Sequence, residues 1–154
     1  RFDWGPRDVG LSFAFVGVTA FFTQTLITGR LSERFGEGPM LAAGMALTVM
    51  AMILQIFSTG GVMTTALMCL TAMGQSVAFP NVGAMISRVA DPHRQGQIMG
   101  LNNAAGALAR VAGPLSVSLV FAAYINGPFV LAALVVAPAI FLAVSASRRA
   151  GLPR

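Results

Sequence analysis

"GRLSERFGEGPML", residues 29–41, gathers Arg30, Glu33, Arg34 and Glu37 into one short stretch between runs of the chain that carry no charge at all. Uncharged sequence flanks it over 9–29 and 38–87, and a third such run covers 111–147. A hydrocarbon core about 30 Å thick is crossed by about 20 helical residues, so each run is long enough to cross, and 38–87 is long enough to cross twice. In lipid only helices and closed barrels satisfy their own backbone groups. Alternation of apolar and polar residues with period two is missing from these runs, which argues against a barrel.

Composition points the same way. The chain has 154 residues, of which 56% are hydrophobic and 10% charged, against about 25% charged in ordinary soluble domains. Its mean hydropathy is +0.77. The net charge of +5 comes from Arg alone, without Lys. Those Arg residues sit at the ends of apolar runs rather than on a solvated face with a groove-reading motif, so no nucleic-acid partner is expected. Cys69 is the single cysteine and lies inside an apolar run, so no internal disulfide can form. The first residue is Arg and no basic, short apolar, small-residue leader opens the chain, so the sequence reads as the tail of a longer protein.

Turn chemistry divides the oily sequence into five helices, over about 9–28, 39–57, 62–87, 95–123 and 128–147. The charged stretch over 29–38 is expected to be a loop, with Pro39 in the first turn of the next helix, where its missing N–H costs nothing. "STGG" at 58–61 makes an uncharged turn. "RVADPHRQG" at 88–96 is a second charged loop, with Asp91 expected as N-cap and Pro92 at the first helical position. "YINGP" at 124–128 turns into the fifth helix, which closes on the basic tail "SRRAGLPR" at 147–154. The Arg count then sets the orientation: Arg30, Arg34, Arg88, Arg94, Arg148, Arg149 and Arg154 fall on one side. Arg1 and Arg7, offset by Asp3 and Asp8, fall on the other. The Arg-rich side is expected in the cytoplasm and the N-terminus outside.

"GRLSERFGEGPML" also resembles the G-x-L-a-D-R-x-G-R-[RK] signature of the major facilitator superfamily, which joins two helices on the cytoplasmic face. Gly29, Leu31, Arg34 and Gly36 match it, with Arg30 inside the motif; Glu33 stands where that family has Asp, and Glu37 and Gly38 replace its terminal basic pair. This degeneracy resembles the second copy of the signature, between helices eight and nine. The stretch 74–115 is similar to helices ten and eleven of the drug/proton antiporter branch, tetracycline-type exporters in particular. The resemblance there rests on Gly74, Pro80, Ser87, Gln95, Gly96, Gly100, Leu101 and the triplet Gly113-Pro114-Leu115. "FDWGPRDVGLSFAFVG", 2–17, resembles the opening of helix eight. The resemblance implies an all-α integral membrane fold in which these five helices form most of the C-terminal six-helix bundle. The N-terminal bundle and the first helix of this bundle would then lie upstream.

On that reading the motif residues Gly29, Arg30, Leu31, Glu33, Arg34 and Gly36 form a cytoplasmic gate. A glycine at the helix end would let neighbouring backbones approach, and a carboxylate would meet an Arg or a helix N-terminus as the bundle shuts. Arg110, deep in the fourth helix, costs about 2.5–3.5 kcal/mol or more at mid-bilayer, so it needs compensation. Either it faces a water-filled cavity and meets substrate or a carboxylate from elsewhere, or it takes up the carbonyl that Pro114 frees, which is that of residue 110 itself. Gln24, Gln75, Asn81, Asn102 and Asn103 are polar residues in or near spans. They can glue helices together, whereas the resemblance places Gln24, Gln75 and Asn102 towards the central cavity. Pro80, Gly113 and Pro114 mark helix bends, and Gly96-x-x-x-Gly100 is a small-residue stripe suited to close helix contact. His93 lies in a charged loop, where it is solvated or titrates as a switch.

No carboxylate lies within a span, and no metalloprotease, nucleophile-elbow, Walker or Cys/His metal motif occurs, so no catalytic residues, metal or cofactor are expected. The expected function is that of a fragment of a secondary transporter, a proton-coupled exporter of drugs or small organic molecules working by alternating access. Its partners would be a small-molecule substrate, the lipid bilayer and the N-terminal transmembrane half, in a bacterial inner membrane. A sugar or metabolite exporter of the same fold and a non-transporting multi-span scaffold are the alternatives.

Overall fold

The computed structural model describes residues 3–124 and 126–149, so Arg1 and Arg154 lie outside the described residues. Pro6 opens the first helix at its first position, and the Asp8 carboxylate accepts the Gly5 N–H at 3.1 Å, closing that end. The chain then runs as α1 (Pro6–Phe22), a π-helical segment (Thr23–Thr28) and α2 (Gly29–Phe35), which join into a single rod, Pro6–Phe35, 30 residues long.

This rod corrects the expected helix over 9–28 and charged loop over 29–38. Charge alone does not end a helix, and Arg, Leu and Glu are good helix formers. The break comes at Gly36, whose φ of 83° and ψ of 159° fall where glycine alone is at ease. One residue later α3 (Glu37–Ile56) begins, with Pro39 in its first turn.

α4 (Gly61–Val89) runs through Pro80, α5 (Gln95–Ala123) through Pro114 and α6 (Gly127–Arg149) through Pro138. Asp91 does not cap α5, contrary to the sequence expectation. Its Oδ1 accepts the His93 N–H at 2.9 Å and its carbonyl accepts the Arg94 N–H at 2.8 Å. The carboxylate is thus spent on the turn, and Arg94 takes the N-cap position.

α3 returns antiparallel along α4, and α1 and α4, which run parallel, touch each other directly. The tightest crossing is α3 on α4 at two glycines. A Cβ added at Gly44 would lie 2.6 Å from the Gly74 carbonyl oxygen and 2.9 Å from the Ala78 N. One added at Gly74 would meet the Gly44 carbonyl oxygen at 2.6 Å and the Thr48 backbone and hydroxyl. Beyond this contact Leu41, Ala78 and Met85 form a small buried cluster, flanked by Met45 and Val82. α6 covers the other side of α3.

Many large apolar side chains face outward: Phe13 is 62% exposed, Val62 88% and Leu119 75%. Soluble monomers rarely show contiguous apolar patches of more than a few hundred Å². Four rods, Pro6–Phe35, Glu37–Ile56, Gly61–Val89 and Gln95–Ala122, are long and apolar enough to cross a membrane, and α6 carries the apolar stretch Gly127–Leu142. With lipid as solvent, such surfaces are matched to their surroundings.

α5 stands apart. No residue of its apolar window is buried among the described residues. Its glycines Gly96, Gly100, Gly106 and Gly113 have nothing within 4 Å of an added Cβ. The expected Gly96–Gly100 contact stripe therefore touches no neighbour among the described residues.

The two kinds of glycine should respond in opposite ways to alanine. Gly74→Ala pushes a methyl into the α3 backbone, an overpacking cost of about 1–3 kcal/mol, and lowers the Tm of the detergent-solubilised protein. Gly106→Ala meets open space, gains about 0.5–1 kcal/mol of helix propensity, and holds or raises it. Thermal unfolding followed by size-exclusion chromatography reads both.

Candidate functional site

A file of hydroxyls and amides runs along the contact between the first rod and α4. At its far end Ser12 and Thr65 share a hydrogen bond at 2.9 Å between their hydroxyls. At the other end, near Gly36, the Thr28 hydroxyl reaches the Ser76 carbonyl at 3.3 Å and the Ser32 hydroxyl donates to Asn81 Oδ1 at 3.0 Å. Asn81, 2% exposed, donates from Nδ2 to the Val77 carbonyl at 2.7 Å, so both ends of its amide are satisfied.

Each contact has a local cause. Pro80 has no N–H, so the carbonyl four residues earlier, that of Ser76, loses its helical partner. An unsatisfied carbonyl in lipid costs several kcal/mol, and the Thr28 hydroxyl, whose one hydrogen is shared between the Ser76 and Thr23 carbonyls, is the donor within reach. The π segment sets Thr28 in place. Five residues apart on an α-helix point well away from each other, but the wider π turn aligns them. Thr23 and Thr28 are accordingly both buried, and the Thr28 hydroxyl also lies 3.1 Å from the Thr23 carbonyl. Ser32 follows four residues on, one helical turn along the same face.

The charged end is closed by Arg88 and Glu37, whose Nε and Oε1 lie 2.9 Å apart. Glu37 stands in the first turn of α3 and Arg88 in the last turn of α4, so each charge also opposes the sign of its helix terminus. The Glu37 side chain is 14% exposed against 57% for Arg88. Such a half-solvated pair contributes at most about 1 kcal/mol. Its value lies in joining two helix ends in one register. Nearby, Gln95 Nε2 bonds the Ser87 hydroxyl and carbonyl, tying the start of α5 to the end of α4.

Within the motif itself, Arg30 Nη1 donates to the Leu26 carbonyl of its own rod at 3.3 Å, and Arg34 lies over the Phe35 ring at 5.5 Å. Leu31, Glu33 and Arg34 are exposed. Gly29 sits inside the rod with nothing within 4 Å of an added Cβ, so the expected close backbone approach does not occur there. Gly36 is required for the sharp corner instead. The residues that hold the corner are Ser32 and Glu37, with Thr28, Asn81 and Arg88. Sequence reasoning named Asn81 only as a general polar residue and did not pair the others. The available signals were a carboxylate at a helix start, an Arg at a helix end, and a Pro whose freed carbonyl needs a donor.

The mid-span candidates do not converge on one cavity. Arg110, Asn103 and Gln24 are exposed, Asn102 is half-buried, and Gln75 lines a cavity of about 220 Å³ between α1, α3, α4 and α6. A larger cleft of about 480 Å³ opens between the far ends of α1 and α4, lined by Trp4, Asp8, Phe15, Thr65 and Cys69 among others. Trp4 is seated there because Gly61 has no side chain: a Cβ would lie 2.7 Å from the indole Nε1.

Apolar rods of this length, joined by tight corners and stitched by hydroxyl-to-carbonyl bonds, define a multi-pass helical membrane protein. The chain belongs to the major facilitator superfamily, whose family profile matches residues 1–152. It is similar to the tetracycline resistance protein, class C, of Escherichia coli, at 37% identity over 123 residues, which is 80% of this chain and 31% of that protein. Similarity to the class G protein of Vibrio anguillarum is 36% over 123 residues, again 80% of this chain and 31% of the relative. A human relative, hippocampus abundant transcript 1 protein, is 25% identical over 118 residues, 77% of this chain and 24% of its own length. The chain thus spans about a third of the length of the tetracycline resistance proteins it matches.

The link between Pro80 and Thr28 can be measured by a double-mutant cycle. Thr28→Val alone strands the Ser76 carbonyl and lowers stability. In a Pro80→Ala background the restored N–H reclaims that carbonyl, so the same change costs less, by about 0.6–1.7 kcal/mol for a hydrogen bond within a membrane protein. Equal costs in both backgrounds would remove the pairing.

Proposed function

We propose that this chain forms part of a secondary transporter that exports drugs or other small organic molecules across a bacterial inner membrane, in exchange for protons, by alternating access. The observation that carries the reading is the 36–37% identity to two tetracycline resistance proteins over four fifths of the chain. Tetracycline is therefore the first substrate to try.

The geometry supports a division of labour at the charged end. Ser32–Asn81 and Glu37–Arg88 fasten the corner to α4, so the bundle rocks as one piece instead of flexing at a loop. Arg30, Glu33 and Arg34 are left exposed at the same end. They are the groups free to meet the opposing half when that side closes.

Orientation follows from the positive-inside rule. The ends carrying Arg30, Arg34, Arg88, Arg94, Arg148 and Arg149 face the cytoplasm, and the start of α1 faces out. The carboxylates of this chain stand at helix ends and turns: Asp8 in the first turn of α1, Glu33 and Glu37 at the corner, Asp91 before α5. A proton-carrying carboxylate at mid-membrane would therefore come from a part of the transporter outside this sequence. Arg110, midway along an α5 that is bare of burial, faces substrate or that carboxylate across the cavity. Binding and movement of substrate, without covalent chemistry, then account for the absence of any catalytic motif in the sequence.

In cells expressing the full-length protein, Arg110→Ala abolishes tetracycline export while membrane insertion and protein level stay unchanged, and Arg110→Lys retains part of the activity. Accumulation of tetracycline in energised cells gives the readout. Normal export by a correctly inserted Arg110→Ala protein would assign Arg110 to helix contact alone.

A further inference from the structure

A pocket of about 220 Å³ between the helices, open at one side, is bounded by Val16, Met52, Met68 and Phe129 and by Gln55, Thr71 and the exposed Gln75. Its volume is ample for one small ring, since a cavity of about 150 Å³ suffices for benzene. What distinguishes this one is Gln55. Its residue is 7% exposed, its Nε2 donates to the Thr64 carbonyl at 3.5 Å, and its Oε1 is sealed from solvent with no donor among the described residues.

A buried acceptor without a donor is uncommon because its desolvation goes uncompensated. The amide is also loosely held. A donor distance of 3.5 Å is at the limit of a hydrogen bond, and the last torsion of Gln is broad. A turn of the amide would exchange this long contact to Thr64 for one that presents Oε1 to the pocket. The Thr71 hydroxyl is already committed to the Leu67 carbonyl at 3.0 Å, so it offers the cavity only lone pairs. With Oε1 turned inward, Gln55 and Thr71 offer the pocket acceptors, Gln75 at its open side carries both a donor and an acceptor, and the remaining walls are apolar.

We propose that this cavity is a binding site for a small neutral molecule with an apolar ring or chain and one O–H or N–H donor, the donor bonding Gln55 Oε1. Charged molecules are disfavoured because, among the described residues, no charged side chain lines the pocket to compensate them. The site lies among α1, α3, α4 and α6 of one bundle. It does not include Arg110, and its occupancy does not depend on transport.

The test uses the full-length protein in lipid nanodiscs, with 4-fluorophenol as donor probe and 4-fluoroanisole, its methyl ether, as the matched probe without a donor. Binding is followed by fluorine NMR, with empty nanodiscs giving the partition background. 4-Fluorophenol binds saturably and at least about tenfold more tightly than 4-fluoroanisole, the scale expected when one buried acceptor gains its donor. Gln55→Met keeps the length of the side chain, removes the acceptor, and abolishes that tenfold preference. The variant loses the long Nε2–Thr64 contact together with the unsatisfied oxygen, so its fold is checked by thermal unfolding beside the parent. Ala72→Leu, which fills the cavity and leaves Gln55 in place, removes saturable binding of both probes. Equal affinity for the two probes in the parent protein, no saturable binding above empty nanodiscs, or a preference that survives Gln55→Met would each overturn the proposal.

Discussion

A backbone carbonyl or N–H surrounded by lipid has no water to turn to, and that constraint organises this molecule. Hydroxyls that would be solvated elsewhere are turned onto carbonyls here. Thr23 bonds the Thr19 carbonyl, Thr48 that of Gly44, Thr65 that of Gly61 and Ser118 that of Pro114. Where a helix breaks its own ladder, at Pro80, a neighbouring rod supplies the donor through Thr28. The buried side chains reflect this: Ser12, Thr23, Thr28, Thr48, Gln55, Ser58, Thr64 and Asn81 are as hidden as the apolar core. In lipid, burying Leu gains little, so specificity between helices comes from small residues and hydrogen bonds.

From this follows the mechanical character of the charged end. A corner of one glycine, a buried Asn and one ion pair fix α2, α3 and α4 together. A flexible loop carrying the same charges would let the helices slide independently. A rigid bundle is what rocking of one half against another requires. The unburied α5, with Arg110 on its surface, is the opposite case, a rod held to its neighbours mainly near its ends and with no residue of its apolar window buried among the described residues.

The fold class was legible because lipid imposes a length scale. Uncharged runs over 9–29, 38–87 and 111–147 permit few arrangements other than spanning helices. Family membership was legible in the spacing of Gly29, Leu31, Arg34 and Gly36 and in the stretch 74–115. The detail of the corner was not. Charge was taken as the sign of a loop, whereas the helix heeds only backbone geometry and stops at Gly36. The π segment over "TQTLIT" has no signature in the local sequence, although it places Thr28 against Ser76 of the neighbouring rod. Nothing in the local sequence marks Gly44 as the residue that meets Gly74. Single hydroxyls in a sequence do not say which neighbour they serve, so Ser32, Thr28 and Glu37 could not be paired in advance.

The central claim is that these rods cross a bilayer with both charged corners on the cytoplasmic face. A membrane-impermeant maleimide applied to intact cells tests it, with single cysteines introduced as Glu33→Cys, His93→Cys and Thr59→Cys, all at exposed positions, in a Cys69→Ser background. The account requires Thr59→Cys to be labelled in intact cells, and Glu33→Cys and His93→Cys only after the cells are broken. Labelling of either charged corner from outside, or of all three sites alike, would contradict it.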